Sequence, residues 1–173
     1  MTAPDTRPGA APAAQTSEPM ADVVIERIDP ADTATIAHLN NQVFRPERAP
    51  EFFERRLRNR VNPLVMVARI DADAVGFCIG MELKPTVFFT WLVGVLPDAR
   101  RMGIASQLMR AAGDWAHDHG YRSNRFECTT RHRAMMHFGI AEEYDIIGMR
   151  WDGDRGENLI IFERSLGTPP ADD

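Results

Sequence analysis

The segment WLVGVLPDARRMGIASQLM, Trp91 to Met109, constrains the fold of the chain more than any other. The run Phe88 to Val95 before and within it is too rich in β-branched and aromatic residues for a surface helix. Pro97 ends that run because proline offers no ladder N–H. After a turn at Pro97-Asp98, Ile104, Leu108, Ala111, Ala112 and Trp115 recur at helical spacing, with Arg110, Asp114 and His117 off the stripe. A buried strand therefore runs through a tight turn into an amphipathic helix that starts close to Gly103.

The first four N–H groups of a helix lack partners within it, and the aligned peptide dipoles add about half a positive charge at that end. In RRMGIAS, Gly103 and Ala105 keep side-chain bulk away from the backbone, while Arg100 and Arg101 add positive charge. Two readings are open: a cradle for a diphosphate, or a plain strand-turn-helix joint with glycine in the turn.

The pattern Val95-Leu96-Pro97 followed by Arg100, Gly103 and Ala105 resembles the acetyl-CoA motif Q/R-x-x-G-x-G/A of the GNAT superfamily of N-acyltransferases. It has neither the glycine spacing of a dinucleotide fingerprint nor the Gly-Lys-Ser/Thr of a P-loop. The resemblance implies that the backbone of Val93, Gly94 and Val95 pairs with a pantetheine arm. It also implies that the amides of Arg101, Met102, Gly103, Ile104, Ala105 and Ser106, next to Arg100, hold the pyrophosphate.

The rest of the chain frames this segment. Residues 1–21 are rich in Ala, Pro, Thr and Ser with almost no large apolar side chain, so they read as a disordered tail. VVIERI gives a first strand ended by Pro30, and Ile36, Leu39 and Val43 mark a first helix. A second helix spans about Pro50 to Asn59. Its Arg55, Arg56 and Arg58, with Arg60 just beyond, either solvate a face or recognise an acidic acceptor or acyl carrier. Phe44, Phe52 and Phe53 are either core or pocket lining. Leu64 to Ile70 and Ala74 to Leu83 flank a polar turn as a hairpin, and the central strand follows. The long helix ends at His119-Gly120, RSNRFECTT is a strand, Arg133 to about Glu142 a short helix, and DIIGMRW and NLIIFERS the last two strands.

This order, β-α-α-β-β-β-α-β-α-β-β, matches that of the GNAT fold over about residues 22 to 166, with 167–173 as a C-terminal tail. The fold class expected is α+β, a mixed α/β sandwich: a mostly antiparallel sheet of about seven strands flanked by about four helices. In that family the fourth and fifth strands splay apart and the thioester lies in the gap.

Acetyl transfer to an amine needs a neutral amine, a polarised thioester carbonyl and a proton for the leaving thiolate. A backbone N–H where the fourth strand's pairing is interrupted would polarise the carbonyl; by family position the donor is Val95. Alternation puts Glu127 on one face of the fifth strand, opposite Phe126 and Cys128. A gap-free match to the branch of the family that acetylates ribosomal proteins, L-E-V-x-x-x-N and later Y-x-x-x-G-F, places Glu127 on that branch's base and His132 on its cofactor-contacting asparagine. Glu127 instead reads as paired with a neighbouring arginine, Arg125 or Arg150, and Glu82 is a second candidate base. In the same register the branch's general-acid tyrosine falls on Gly139 and Tyr144 takes the later aromatic place. The proton would then come from His137 or from solvent.

Three functions follow for weighing: an acetyl-CoA-dependent N-acetyltransferase acting by direct attack, an acyltransferase with a longer donor accommodated by the phenylalanines and by Met135 and Met136, and a non-catalytic CoA-binding domain. The net charge of −5 and the pI of about 5.5 give no basic footprint for nucleic acid or an anionic membrane and suit an amine-bearing small molecule or peptide. Cys78 and Cys128 offer no metal-ligand spacing, so no metal is expected. No run reaches membrane-spanning length and no secretory layout opens the chain, which points to the cytoplasm. A homodimer through the apolar LIIF segment is set against LIIF lying inside the sheet.

Overall fold

In the computed structural model, residues 23–168 are described; the expected N-terminal tail, 1–21, and residues 169–173 lie outside them. The elements are β1 (Val24–Ile28), α1 (Thr33–Val43), α2 (Pro50–Leu57), β2 (Leu64–Ile70), β3 (Asp73–Lys84), β4 (Val87–Val95), α3 (Ile104–Asp118), β5 (Ser123–Thr129), α4 (Arg133–Ala141), β6 (Asp145–Asp152) and β7 (Glu157–Ser165), with one 3-10 turn at Pro97–Ala99. The order is the one expected from the alternation of two-residue and helical periodicities.

The seven strands form one sheet, ordered β1-β2-β3-β4-β5-β7-β6. Every neighbouring pair is antiparallel except β4 and β5. Strands β2 and β3 are buried on both faces. Leu64, Met66, Ala68 and Cys78 pack under Ile104, Leu108, Ala112 and Ala116 of α3. Val65, Val67, Phe77 and Ile79 pack under Ile36 and Leu39 of α1 and Phe53 and Leu57 of α2. A third cluster joins Met109, Phe126, Cys128, Tyr144 and Phe162 beneath α4. LIIF, Leu159 to Phe162, lies inside the sheet, because β7 pairs with β5 on one edge and β6 on the other.

Two irregularities shape the centre. Strands β4 and β5 pair only at Val87↔Ser123, Phe88↔Asn124 and Phe89↔Arg125, after which they diverge. The fork is held by a buried polar relay: Thr90 Oγ1 donates to Asn124 Oδ1 at 3.0 Å, and Asn124 Nδ2 donates to the Tyr144 hydroxyl at 3.1 Å. The second irregularity is a bulge in β4. Ile79 faces Leu92 but Gly80 faces Thr90, so Trp91 is the extra residue. The bulge puts Trp91 and Leu92 on the same side, both packed against the α1/α2 cluster.

Candidate active site

Past the fork, β4 has one open edge. Leu96 N donates to Val75 O at 2.9 Å, so the directly opposed pairs Leu96/Val75 and Gly94/Phe77 are the hydrogen-bonded ones. The N–H and C=O groups of Val93 and Val95 therefore point the other way, to the side that β5 has left. This corrects two expectations. Gly94 spends its backbone groups on β3; its missing side chain instead makes room for Phe77 and Phe44, whose ring atoms lie 2.7 and 3.1 Å from where a Cβ would stand. The interruption in β4 pairing falls at Trp91, not at Val95, which sits in an unbroken ladder opposite Gly76.

The open edge leads through the 3-10 turn to α3. Gly103, at φ 72°, is the N-cap of that helix in the left-handed region that glycine enters at no cost to a side chain. Arg101 also has positive φ, 65°. Among the described residues no side chain caps the first turn, and no acidic residue lies in it, so the α3 N–H groups can receive an anion. Arg100 Nε donates back to Val95 O at 3.2 Å, tying the turn to the end of β4. The residues present fit a diphosphate followed by an extended, amide-bearing arm.

Between the arms of the fork, lined from Phe89 to Val93 on β4 and from Phe126 to Thr129 on β5, lies a cavity of about 830 Å³. One wall is built from Phe44, Arg48, Phe52 and Arg56 of the α1–α2 region with Trp91 of the bulge. The facing wall holds Glu127, Cys128, Thr129, His132, Met135, Arg150 and Leu159. Glu127 is held by Arg150, whose Nε and Nη2 donate to Oε2 at 2.9 and 2.6 Å. Arg125 is engaged elsewhere, with Glu163 at 2.6 Å. The hydrogen bond to Glu127 raises the pKa of Arg150. Burial pushes the Cys128 thiol up to about 11, so it is a neutral lining group at ordinary pH.

Other sequence candidates stand outside this cavity. Glu82 accepts the Tyr121 hydroxyl at 2.8 Å and does not line it. His137 is exposed on α4 away from the lining, whereas His132, the α4 N-cap residue, belongs to it. Gly139 is buried: a Cβ there would meet Phe162 ring carbons at 2.7 and 2.8 Å. The register that put the family's acid at this position thus leads into core. Tyr144 also packs in core, its hydroxyl spent on Asn124, and burial pushes it up to about 12. Of the phenylalanines, Phe44 and Phe52 line the cavity and Phe53 is fully buried; Met135 lines it and Met136 does not. Trp91 was not legible as a site residue, because a bulge leaves no mark in an apolar run. No group of residues suited to holding a metal occurs among the described residues.

The sequence profile of the Acetyltransferase (GNAT) family matches residues 33–139. The chain belongs to the GNAT acetyltransferase family. Its fold is shared with the ribosomal-protein-S18-alanine N-acetyltransferase of Escherichia coli, at TM-score 0.72 and 15% identity over 87% of this chain and 98% of that one. It is similar, at TM-score 0.67 and 16% identity over 88% and 99%, to yncA of Salmonella typhimurium, a putative acetyltransferase solved with its cofactor acetyl-CoA. Arabidopsis thaliana NAA60, solved with a bisubstrate analogue, gives TM-score 0.66 and 13% identity over 83% and 97%. No curated protein matches the chain. In this GNAT chain the cavity lines both arms of the fork, Phe89 to Val93 on β4 and Phe126 to Thr129 on β5, and the α3 terminus follows the open edge of β4.

Proposed function

We propose that this GNAT chain is an acetyl-CoA-dependent N-acetyltransferase in which an amine in the cavity attacks the thioester directly. The observation that supports the reading is the fork itself: its two arms line one cavity with Glu127 in the wall, and the open edge of β4 at Val93 reaches that cavity. Acetyl-CoA supplies an activated acyl group. The backbone groups of Val93 and Val95 hold its arm as an added strand would be held, and the α3 amides with Gly103 receive the diphosphate. Where the bulge at Trp91 breaks the ladder, a backbone N–H of β4 is free to polarise the carbonyl. Glu127 accepts the amine's proton at Oε1, the oxygen that Arg150 leaves open, directly or through water. No tyrosine serves as acid, so the thiolate takes its proton from solvent that reaches the fork.

The test is calorimetric titration with acetyl-CoA, paired with an assay of CoA-thiol release over a panel of amines. Micromolar binding with amine-dependent release is expected. Binding without release on any amine would leave a CoA-binding domain, and absence of binding would remove the donor groove.

A further inference from the structure

The α2 wall of the cavity is cationic and, among the described residues, has no countercharge in ion-pair contact. Phe52 and Arg56, four residues apart on α2, share a face. The Arg56 guanidinium lies 4.9 Å over the Trp91 ring, and Arg48 lies 4.6 Å over Phe52. Phe52 and Trp91 are themselves 6.1 Å apart between centroids, so the four side chains form a layer, Arg48-Phe52-Trp91-Arg56. Among the described residues, neither arginine has a carboxylate within ion-pair distance, and Arg56 Nε is buried without a hydrogen-bond partner. The neighbouring cations are committed otherwise. Arg58 pairs with Glu54 at 2.5 Å, and Arg45 donates to the carbonyls of Asn41 and Phe44. Of the carboxylates lining the cavity, Glu127 is held by Arg150 and Asp152 faces Arg155 at 3.7 Å; Glu157 lies on the far wall with those two.

A half-buried guanidinium with an orphaned donor is costly to keep unless an anion arrives from outside. Burial, with the like charge of Arg60 second, lowers the Arg56 pKa, which shows the same unmet demand. The cation–π contact with Trp91 holds the guanidinium at the cavity wall, where its planar fork of donors suits a carboxylate.

We infer that the acceptor is an amine that also carries a carboxylate, and that Arg56, backed by Arg48, holds that carboxylate while the amine lies toward Glu127. This rests on the acetyl-transfer reading above and adds the substrate class. It also reverses the hint from net charge: the chain is acidic as a whole, yet this wall is cationic. The carboxylate is either that of a free amino acid or that of an acidic residue in a peptide, and the experiment separates the two.

The experiment measures CoA-thiol release with acetyl-CoA and amines in matched pairs, with and without the carboxylate. One arm sets amino acids against their amides, and the other sets short amidated peptides opening with Glu against those opening with Gln. In at least one arm, kcat/KM should be at least about 10-fold higher for the carboxylate member, and that arm names the source. Arg56→Gln should bring the ratio close to one by raising KM for the carboxylate member about 10- to 100-fold, as expected for losing a charged hydrogen bond. Its acetyl-CoA affinity by calorimetry should match the parent's. Arg56→Lys, which keeps charge but not the planar fork, should fall between. Turnover with equal rates on both members of every pair, or a preference that survives in Arg56→Gln, would overturn the inference. Failure to bind acetyl-CoA or to acetylate any amine would instead overturn the acetyl-transfer reading beneath it.

Discussion

Arg150 holds only one of the two carboxylate oxygens of Glu127: Nε and Nη2 both reach Oε2, at 2.9 and 2.6 Å, and Oε1 has no hydrogen bond among the described residues. The side chain of Glu127 is 15% exposed and that of Arg150 49%, so the arginine covers the carboxylate from solvent and leaves one oxygen to the cavity. In the acetyl-transfer reading proposed above, Glu127 is both ion-pair partner and proton acceptor. Removing the charge should separate the two roles.

Glu127→Gln should lower kcat/KM about 10²- to 10⁴-fold, the range that a positioned base contributes, while acetyl-CoA affinity stays at the parent's value. Thiol-release kinetics and calorimetry read both quantities. A fully active Glu127→Gln protein would reduce Glu127 to a partner of Arg150 alone.

Gly103 carries two loads, a left-handed conformation and an approach free of side chain. At φ 72°, Gly103→Ala should cost about 1–2 kcal/mol in urea unfolding, since a Cβ is penalised in that region. Gly103→Glu adds bulk and a negative charge at the helix N-terminus and should abolish acetyl-CoA binding while the fold persists. Unchanged affinity in Gly103→Glu would mean that the α3 terminus holds no diphosphate.

Much of this was legible in the sequence because it depends on local pattern. The apolar run LVMVARI before a polar turn and the helical spacing from Ile104 to Trp115 give the same elements in the structure. What escaped depends on register. Arg125 lies directly opposite Glu163 across β5/β7, which takes it away from Glu127. Arg150 reaches Glu127 over β7, where Gly148 leaves the face low. Which of four arginines near α2 turns inward was equally hidden; the bulge that lifts Trp91 toward Arg56 decides it. His137, offered beside solvent as a proton source, stands two residues beyond Met135 and so on the other side of α4 from the cavity lining.

Stability should fall in base. Burial pushes the Cys78 thiol up to about 12, the Cys128 thiol up to about 11 and the Tyr144 hydroxyl up to about 12. The unfolded chain gives up these protons first, its thiols from about pH 8.5, so it binds fewer protons than the folded chain above that point. The contribution is complete below the unfolded values and is lost as pH rises through the folded ones, at about 1.4 kcal/mol per pH unit for each titrating group. Urea unfolding should be flat from pH 7 to 8 and weaken clearly by pH 10.5, less steeply in Cys128→Ala. A flat profile to pH 10.5 would mean that these groups are open to water.

Gly139 tests whether the missing tyrosine is a vacancy in the site or a demand of the core. The rings of Phe126 and Phe162 are stacked, 4.8 Å apart and 3° from parallel, and α4 lies on them through Gly139. Alanine is favoured over glycine in a helix by about 1 kcal/mol. Here its Cβ would stand 2.7 Å from Phe162 and 2.9 Å from Phe126, and overpacking of that kind costs about 1–3 kcal/mol. The contacts are to rings held on both sides, so the second effect should win and Gly139→Ala should melt lower than the parent. Gly139→Tyr should lose more stability and gain no turnover, because a side chain there enters the core and not the fork. A stable Gly139→Tyr protein with faster thiol release would instead show that α4 can shift outward and present a hydroxyl to the leaving group.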